Sequence, residues 1–227
     1  MSLLAPQLME EIMPDLIFCS WSGGKDCCAA LDKFLTHDPT VTISLLTMID
    51  ELNHKTYGHF LSEKILDEQA KAMDLEINFG YAGFNDYEQK WTAELLKLKD
   101  RGFTGGIFGD IDLEEHYVWI ERVMKKVGMQ MIMPLWRQNR DKVVLDFINR
   151  KYSSKIISIN KTKIDAKYLG REINIDTFNE FKNNGIDPCG EGGEFHTIVY
   201  DGPLFKTPLK LSLNAVVDEK DHIFYDL

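Results

Sequence analysis

Two glycine-containing segments carry the side chains with which this sequence could do chemistry. The first is Ser-Gly-Gly-Lys-Asp-Cys at residues 22–27, between a short apolar run and a segment with helical spacing. Two glycines let the backbone approach a bulky anion, and the first turn of the next helix offers unpaired N–H groups. Lys25 can neutralise phosphate oxygens, and Asp26 can hold Mg²⁺, which prefers oxygen ligands. The segment is a candidate phosphate site, although a plain strand-to-helix turn also accounts for it.

The second segment covers residues 187–196 and reads Asp-Pro-Cys-Gly-Glu-Gly-Gly-Glu-Phe-His. It predicts a glycine loop that enters a strand, with Glu194 and His196 on one side and Phe195 on the other. A carboxylate and an imidazole on one face can serve as general base and acid, or hold an amine. A glycine hairpin with polar surface residues is the alternative on local grounds.

Neither common phosphate motif is present. The motif G-x-x-x-x-G-K-[ST] needs a longer loop, and G-x-G-x-x-G needs a third glycine at another spacing. A P-loop kinase and a nicotinamide dehydrogenase are therefore disfavoured. Other histidines, His54, His59 and His116, have no carboxylate at a defined spacing, so we expect them at the surface or half-buried.

The elements that must position these segments alternate along the first part of the chain. Apolar periodicity predicts strands at residues 16–19, 41–49, 75–79, 105–109 and 129–133, and helices after residue 24, at 58–73, at 87–99 and after 110. This alternation predicts a Rossmann-like α/β fold, with helices on both faces of a parallel sheet. Gly109 and Asp110 stand at the end of the fourth strand, at the edge where open α/β sheets bind ligands. Asp110 could also cap the next helix.

The pattern changes after Pro134. Helices are predicted at residues 142–148 and 177–182, and strands at 155–159, 195–200, 209–217 and 222–225. The later strands suggest an antiparallel sheet. We therefore expect two domains: residues 1–135 form the α/β domain, and residues 136–227 form a smaller α+β domain.

Composition is that of a globular protein: 227 residues, 44% hydrophobic and 11% aromatic. No apolar run approaches the ~20 residues that a membrane span needs. The N-terminus has no basic region before its leucines, so it does not resemble a signal peptide, and we expect a cytoplasmic protein. The four cysteines form no C-x-x-C motif, which disfavours a zinc site, and without a signal peptide we expect no structural disulfides.

The net charge of −10 opposes non-specific attraction to nucleic acid. One stretch, Arg137–Arg171, is nevertheless basic, since it holds ten basic residues (Arg137, Arg140, Lys142, Arg150, Lys151, Lys155, Lys161, Lys163, Lys167, Arg171) and three acidic ones (Asp141, Asp146, Asp165). It could be a solvated surface, or an electropositive wall that faces an anionic substrate.

Ser-Gly-Gly-x-Asp after a first strand resembles the signature of the PP-loop, or N-type, ATP pyrophosphatases, which have the adenine nucleotide alpha hydrolase fold. The resemblance implies that Ser22, Gly23 and Gly24 donate to the pyrophosphate part of ATP. It also implies a reaction that leaves AMP on an acceptor and releases pyrophosphate, with Mg²⁺ held by Asp26. Cys27 stands where these proteins usually have serine or threonine, and its thiol is the weaker donor.

Together with Glu-Gly-Gly-Glu-Phe near the C-terminus, this loop resembles the diphthine ammonia ligase family, from residue 21 to residue 205. The resemblance implies acceptor-side roles for Glu191, Glu194 and His196, and nucleotide or magnesium contacts for Gly109 and Asp110. The family's eukaryal and archaeal members more often have glutamate where His196 stands, so the sequence is more similar to short bacterial members.

The resulting hypothesis is an AMP-forming ligase. ATP adenylates an acceptor carboxylate, of a small molecule or a protein residue, and free ammonia displaces AMP to form an amide. Assembly as a homo-oligomer is left open. One alternative is a PP-loop tRNA sulfur transferase, although Cys27 and Cys28 would point about 100° apart on a helix. Another is a regulatory module that binds ATP or AMP without turnover, which Cys27 in the phosphate loop would suit.

Overall fold

The computed structural model describes residues 15–213 and 215–227, and two sheets organise them. The first sheet has five parallel strands in the order β3-β2-β1-β4-β5. These strands are β1 (Leu16–Ser20), β2 (Thr42–Asp50), β3 (Glu76–Ala82), β4 (Phe103–Ile107) and β5 (Gln130–Ile132). The predicted parallel α/β sheet is confirmed.

Helices cover both faces of this sheet. They are α1 (Lys25–His37), α2 (Glu63–Met73), α3 (Tyr87–Asp100) and α4 (Glu114–Val127). The apolar residues of α1 and α2 belong to one core cluster, and those of α3 and α4 belong to another. The strand order reverses between β1 and β4, so the loops after these two strands diverge and leave a crevice at the carboxyl edge of the sheet. Both candidate loops of the α/β unit begin at this crevice.

The second sheet is antiparallel, with the order β7-β6-β9-β8. The elements after the first sheet are α5 (Arg140–Asn149), β6 (Ser153–Asn160), α6 (Ile175–Asn183), β7 (Phe195–Asp201), β8 (Val216–Asp218) and β9 (His222–Tyr225). The core cluster that includes Leu31 of α1 also includes Ile156 and Ile198 of this sheet. The expected smaller α+β unit is therefore confirmed, and it shares a core with one face of the parallel sheet.

Edge strand β7 brings the second sheet to the loop after β1. The backbone N–H of Val199 donates to the carbonyl oxygen of Gly23 at 3.0 Å, and Thr197 Oγ1 accepts from the N–H of Lys25 at 3.0 Å. The strand thus continues its hydrogen bonding into the phosphate-loop candidate. This contact places the second glycine segment beside the first.

Most predicted elements have somewhat different bounds in the structure, and three of them are informative. The helix predicted at residues 58–73 begins only at Glu63, because Gly58 and Phe60 have left-handed backbone with φ of 74° and 57°. The strand predicted at 105–109 ends at Ile107. The strand predicted at 209–217 is wrong for residues 209–213, which form no strand: the Leu209 N–H donates to Tyr200 in a single bond, and pairing begins only at β8. Residue 214 lies outside the described residues.

In the described ranges, no helix combines the length and apolar character that crossing a membrane requires. The expectation about a missing signal peptide concerns the first residues of the chain, and residues 1–14 lie outside the part that the structure describes.

Candidate active site

A cavity of about 550 Å³ opens at the carboxyl edge of the parallel sheet, between the two sheets. Its walls come from the loop after β1, the loop after β4, the segment before α2, the C-terminal glycine loop and the start of β7. The predicted site residues in this lining are Ser22, Lys25, Asp26, Cys27, Gly109, Asp110, Glu191 and His196. The fold therefore brings together two glycine segments that are far apart in the sequence.

The loop after β1 has the shape that an anion site needs. Gly23 has left-handed backbone (φ 83°), and Gly24 has no side chain with which to cap α1. The first helical turn therefore has backbone donors besides the N–H of Lys25, which donates to Thr197 Oγ1. Ser22 Oγ lies 3.4 Å from the N–H of Gly24 and 3.4 Å from Cys27 Sγ. The thiol of Cys27 also donates to Gly24 O at 3.2 Å, and burial raises its pKa. Cys27 is thus a protonated thiol that braces the loop.

Gly109 allows the loop after β4 to pack directly on the first turn of α1. A Cβ at this position would lie 2.7 Å from Cys27 N and 2.8 Å from the carbonyl carbon of Asp26, which is closer than heavy atoms approach. Any side chain at Gly109 would therefore displace the phosphate-loop candidate.

Gln69 of α2 is a buried hub behind the loop, and the sequence analysis missed it. Its side chain is 0% exposed. Gln69 Oε1 accepts from Trp21 Nε1 at 2.7 Å, and Nε2 donates to Gly23 O at 3.0 Å and to Val199 O at 2.6 Å. One side chain therefore links two residues of the loop after β1, Trp21 and Gly23, with Val199 of β7. A glutamine on the apolar face of a predicted helix was the signal that could have revealed it.

Lys25 ties the two glycine segments together. Its ammonium group donates to Asp26 Oδ2 at 2.8 Å and to the carbonyl oxygen of Cys189, and the residue is only 4% exposed. Burial disfavours the charged form, but Asp26, Cys189 and Glu191 together outweigh it, and the pKa of Lys25 lies above its usual value. Lys25 therefore remains a cation that connects the loop after β1 with the C-terminal glycine loop.

Three carboxylates surround the cavity: Asp26, Asp110 and Glu191. Burial raises the pKa of Asp26, with Lys25 opposing and Asp110 adding to the rise. Burial also raises the pKa of Glu191 to about 7, and the charge of Asp26 contributes. Asp26 Oδ1 is buried and has no hydrogen-bond partner among the described residues. That oxygen fits a cation such as Mg²⁺.

The protein alone does not complete a metal site. Within the described ranges, no group of three or more histidine, cysteine, aspartate or glutamate side chains has the geometry to hold a metal ion. Magnesium usually keeps several waters and takes one or two carboxylates together with substrate phosphates. Asp26 and the neighbouring Asp110 are consistent with that kind of partial site.

Two imidazoles form another part of the wall. The rings of His59 and His196 lie 4.6 Å apart between centroids, and His59 Nδ1 is 2.9 Å from Thr197 O. Burial lowers the pKa of His59 to about 4 and that of His196 well below its usual value. Both rings are therefore neutral near pH 7. The position of His59 was not recognised in the sequence, because its partner Thr197 lies in β7.

His116 also reaches the cavity, beside Asp110. Its Nδ1 lies 2.9 Å from Asp110 Oδ1, and this hydrogen bond raises the pKa of the imidazole. His116 is exposed, as expected, but it has a carboxylate partner that the sequence spacing did not reveal. Six residues separate the two in sequence, and the turn before α4 brings them together.

The C-terminal glycine loop is held at its start by Arg140. Its guanidinium donates to Asp187 Oδ2 at 2.5 Å and to both carboxylate oxygens of Asp112, at 2.6 and 2.7 Å. Asp187 in turn accepts from the N–H groups of Cys189 at 2.9 Å and Glu191 at 3.2 Å. These contacts fix the part of the loop that carries Glu191.

Glu194 is the predicted catalytic residue that the structure does not bring into the cavity lining. Its Oε2 is buried without a partner among the described residues, and its carboxylate lies against Gly192. His196, in β7, lines the cavity, and Glu194, one residue before the strand, does not.

The basic stretch Arg137–Arg171 does not form an electropositive wall of the cavity, since none of its residues lines it. Most of its basic side chains have acidic partners: the ion pairs are Arg137–Glu114, Arg140–Asp112, Lys142–Asp146, Arg150–Asp32, Lys155–Glu172, Lys161–Asp218 and Arg171–Glu180. The stretch is therefore a largely neutralised, solvated surface.

These features define a two-part class of protein: a parallel α/β sheet with a glycine loop at its switch point, and an α+β unit that completes the cavity. Two family models cover nearly all of the chain. The diphthamide synthase N-terminal domain matches residues 17–131, and the diphthamide synthase C-terminal domain matches residues 139–226. The chain belongs to the diphthamide synthase family, which confirms the resemblance seen in the two glycine segments.

Curated relatives of the chain are named diphthine–ammonia ligase. The human protein named diphthine–ammonia ligase is 26% identical, over 86% of this chain and 82% of its own length. The bovine protein of that name is 27% identical over 89% of this chain and 85% of its own length. The one from Schizosaccharomyces pombe is 27% identical over 87% of this chain and 36% of its own length.

Two solved structures were also matched. A predicted subunit of tRNA methyltransferase from Methanocaldococcus jannaschii has a TM-score of 0.42 at 16% identity, over 86% of this chain and all of that one. The U34-tRNA thiolase NcsA from Methanococcus maripaludis has a TM-score of 0.40 at 13% identity, over 60% of this chain and 56% of that one.

Proposed function

We propose that this protein is an ATP-dependent, AMP-forming amide ligase. It adenylates an acceptor carboxylate, releases pyrophosphate, and joins ammonia to the acceptor with loss of AMP. The observation that carries the proposal is the meeting of both glycine segments at one cavity, in a chain whose curated relatives are diphthine–ammonia ligases.

The loop after β1 would hold the pyrophosphate part of ATP. Ser22 and the backbone N–H groups near Gly23 and Gly24 are the proposed donors, and Lys25 keeps its positive charge beside them. Donors fixed in advance stabilise charge that develops on the leaving pyrophosphate. Mg²⁺, held by Asp26 with Asp110 nearby, would neutralise phosphate oxygens.

Glu191 is the proposed proton acceptor on the acceptor side of the cavity. When ammonia attacks the carbonyl carbon of the acyl-adenylate, a C–N bond forms, the C–O bond to AMP breaks, and the attacking nitrogen must lose a proton. Because the pKa of Glu191 is about 7, this carboxylate can accept a proton near neutral pH. We propose that His196, on the neighbouring β7, helps to bind the acceptor. Glu194 would only support the structure of the C-terminal glycine loop.

The proposal assigns ATP binding to residues 1–135 and acceptor binding to residues 136–227. Diphthine, which the relatives' names specify, is the first acceptor to assay, with free ammonia as the nitrogen donor. We also propose that the protein acts in the cytoplasm, since Cys19, Cys27, Cys28 and Cys189 are unpaired and buried.

Ser22→Ala tests the site most simply, because it removes one proposed donor. Loss of one such donor typically costs about a hundredfold in rate. We expect that loss in acceptor-dependent pyrophosphate release, with an unchanged circular dichroism spectrum. Asp26→Asn, which still offers an acceptor to Lys25, should show a similar loss at low Mg²⁺.

Ser212→Ala is the matched control, because Ser212 is exposed and away from the cavity. It should keep the wild-type rate. Wild-type pyrophosphate release by Ser22→Ala would show that the loop after β1 is not the nucleotide site.

A further inference from the structure

His59 is fixed against the phosphate-loop candidate from the side of α2. A Cβ at Gly24 would lie 2.5 Å from His59 Cε1, so the ring packs directly on the loop backbone. Thr197 anchors both partners: its carbonyl oxygen bonds His59 Nδ1 at 2.9 Å, and its hydroxyl accepts from the N–H of Lys25 at 3.0 Å. The ring therefore has a defined position relative to the start of α1.

The bond to Thr197 also determines the tautomer of His59. A carbonyl oxygen can only accept a hydrogen bond, so Nδ1 must carry the proton. In the neutral ring, Nε2 then has a lone pair and no hydrogen, and it has no partner among the described residues. A phosphate oxygen is also an acceptor. Contact between Nε2 and such an oxygen consequently requires a second proton on the ring.

A bound anion would supply the charge that favours that proton. The charge that acts on the His59 ring within the protein is that of Lys25, whose ammonium group already contacts Asp26 and the carbonyl oxygen of Cys189. Pyrophosphate adds negative charge beside His59. An opposite charge within a few ångströms favours the charged form of a titratable group.

Without an anion, the surroundings of His59 favour the neutral ring. Burial lowers its pKa to about 4, and the positive charge of Lys25 adds to this effect. The other titratable ring against it is His196, which itself faces His222 and Lys163 and stays neutral. The His59 ring is thus neutral without a bound anion, and its protonation becomes favourable when a phosphate group binds.

We propose that His59 is a phosphate-binding residue that takes up one proton when the pyrophosphate part of ATP occupies the loop after β1. The imidazolium then donates from Nδ1 to Thr197 and from Nε2 to a phosphate oxygen. The proton comes from solvent on binding and returns to solvent when pyrophosphate leaves. This inference rests on the proposed function only in taking that loop as the phosphate site.

The proposal has a definite pH dependence. Because binding is coupled to proton uptake by His59, its contribution to affinity grows as pH falls from neutrality toward the pKa of the empty site, about 4. The pyrophosphate ion titrates as well, so the comparison must be made against a variant that lacks only Nε2.

The chain allows two informative substitutions at this position. His59→Asn places an amide N–H near the Nδ1 position, which keeps the bond to Thr197 and removes Nε2. His59→Gln instead places an amide N–H near the Nε2 position, which offers a donor without proton uptake. A hydrogen bond to a charged group corresponds to roughly a ten- to hundredfold change in affinity. We expect that loss for His59→Asn and a smaller one for His59→Gln.

Nitrogen NMR of protein labelled with ¹⁵N-histidine is the direct test. Inorganic pyrophosphate and Mg²⁺ are added at pH 7, and His59→Asn identifies the His59 signals. We expect Nε2 of His59 to move from the shift of an unprotonated nitrogen to that of a protonated one. Titration calorimetry in two buffers of different ionisation enthalpy should show a smaller proton uptake for both variants than for wild type.

The outcomes distinguish the role of His59 from the assignment of the loop after β1 as the phosphate site. Pyrophosphate binding with Nε2 still unprotonated, or with equal affinity in His59→Asn, would overturn the role of His59 and leave the proposed function intact. Failure of wild-type protein to bind pyrophosphate would overturn the phosphate site itself, and the proposal for His59 with it.

Discussion

Gln69→Met removes the hub behind the phosphate loop with little change in side-chain volume. In the folded protein, Gln69 accepts one hydrogen bond, from Trp21, and donates two, to Gly23 and Val199. The carbonyl oxygen of Gly23 keeps the N–H of Val199 as a partner at 3.0 Å. The substitution therefore leaves two buried groups without a hydrogen-bond partner: the indole N–H of Trp21 and the carbonyl oxygen of Val199.

The expected loss of stability follows from these two groups, which lose their hydrogen-bond partners. A buried polar group without a partner costs about 1–3 kcal/mol, so the free energy of unfolding should fall by about 2–6 kcal/mol. With a urea m-value of about 3 kcal/mol/M, the midpoint should move down by roughly 1–2 M. Because Gln69 holds Gly23 against β7, nucleotide affinity should fall as well.

Equilibrium urea unfolding, followed by tryptophan fluorescence and circular dichroism, measures the effect. Gln89→Met is the matched control, since Gln89 is an exposed helical glutamine and its substitution should stay within about 0.5 kcal/mol. If Gln69→Met is as stable as Gln89→Met, the buried hydrogen bonds do not stabilise the loop as argued.

Three further substitutions test the cavity. Gly109→Ala places a Cβ 2.7 Å from Cys27 N, so it should lower kcat/KM for ATP at least tenfold; steady-state kinetics at the wild-type level would contradict the close packing. Cys27→Ser keeps a donor beside Ser22, so calorimetry should show ATP binding at least as tight as in wild type, and a tenfold loss would contradict the bracing role. Glu191 has its pKa raised from 4.5 to about 7 in the folded protein, so its contribution to stability is full below pH 4.5 and is lost as pH rises through 7. Glu191→Gln should flatten that part of the pH profile of urea unfolding, and an unchanged profile would be inconsistent with the raised pKa.

Much of the α/β unit is predictable because its signals are local. Strand β1, the turn at Gly23 and Gly24, and helix α1 each follow from the residues within a few positions, and the alternation of elements then dictates a parallel sheet. Left-handed backbone at residues other than glycine is harder to predict from the sequence. Phe60 has φ of 57°, which apolar spacing does not reveal, and the predicted helix was therefore begun too early, before Glu63.

The candidate site is only partly predictable, because its remaining residues act through distant partners. His59 becomes significant only when Thr197 of β7 is placed beside it, and Gln69 only when it meets Trp21 and Val199. The sequence also suggested one catalytic face for Glu194 and His196, and of these two residues His196 lines the cavity whereas Glu194 does not. Pairings between sheets are set by packing, which short motifs do not encode.

Analysis of the reaction products by ³¹P NMR tests the central claim most directly. Wild-type protein is incubated with ATP, Mg²⁺, an ammonium salt and a diphthine-bearing protein. Breakage of the bond between the α and β phosphates predicts AMP and pyrophosphate in equal amounts, formed over many turnovers only when acceptor and ammonia are both present. Accumulation of ADP and orthophosphate instead would contradict the account.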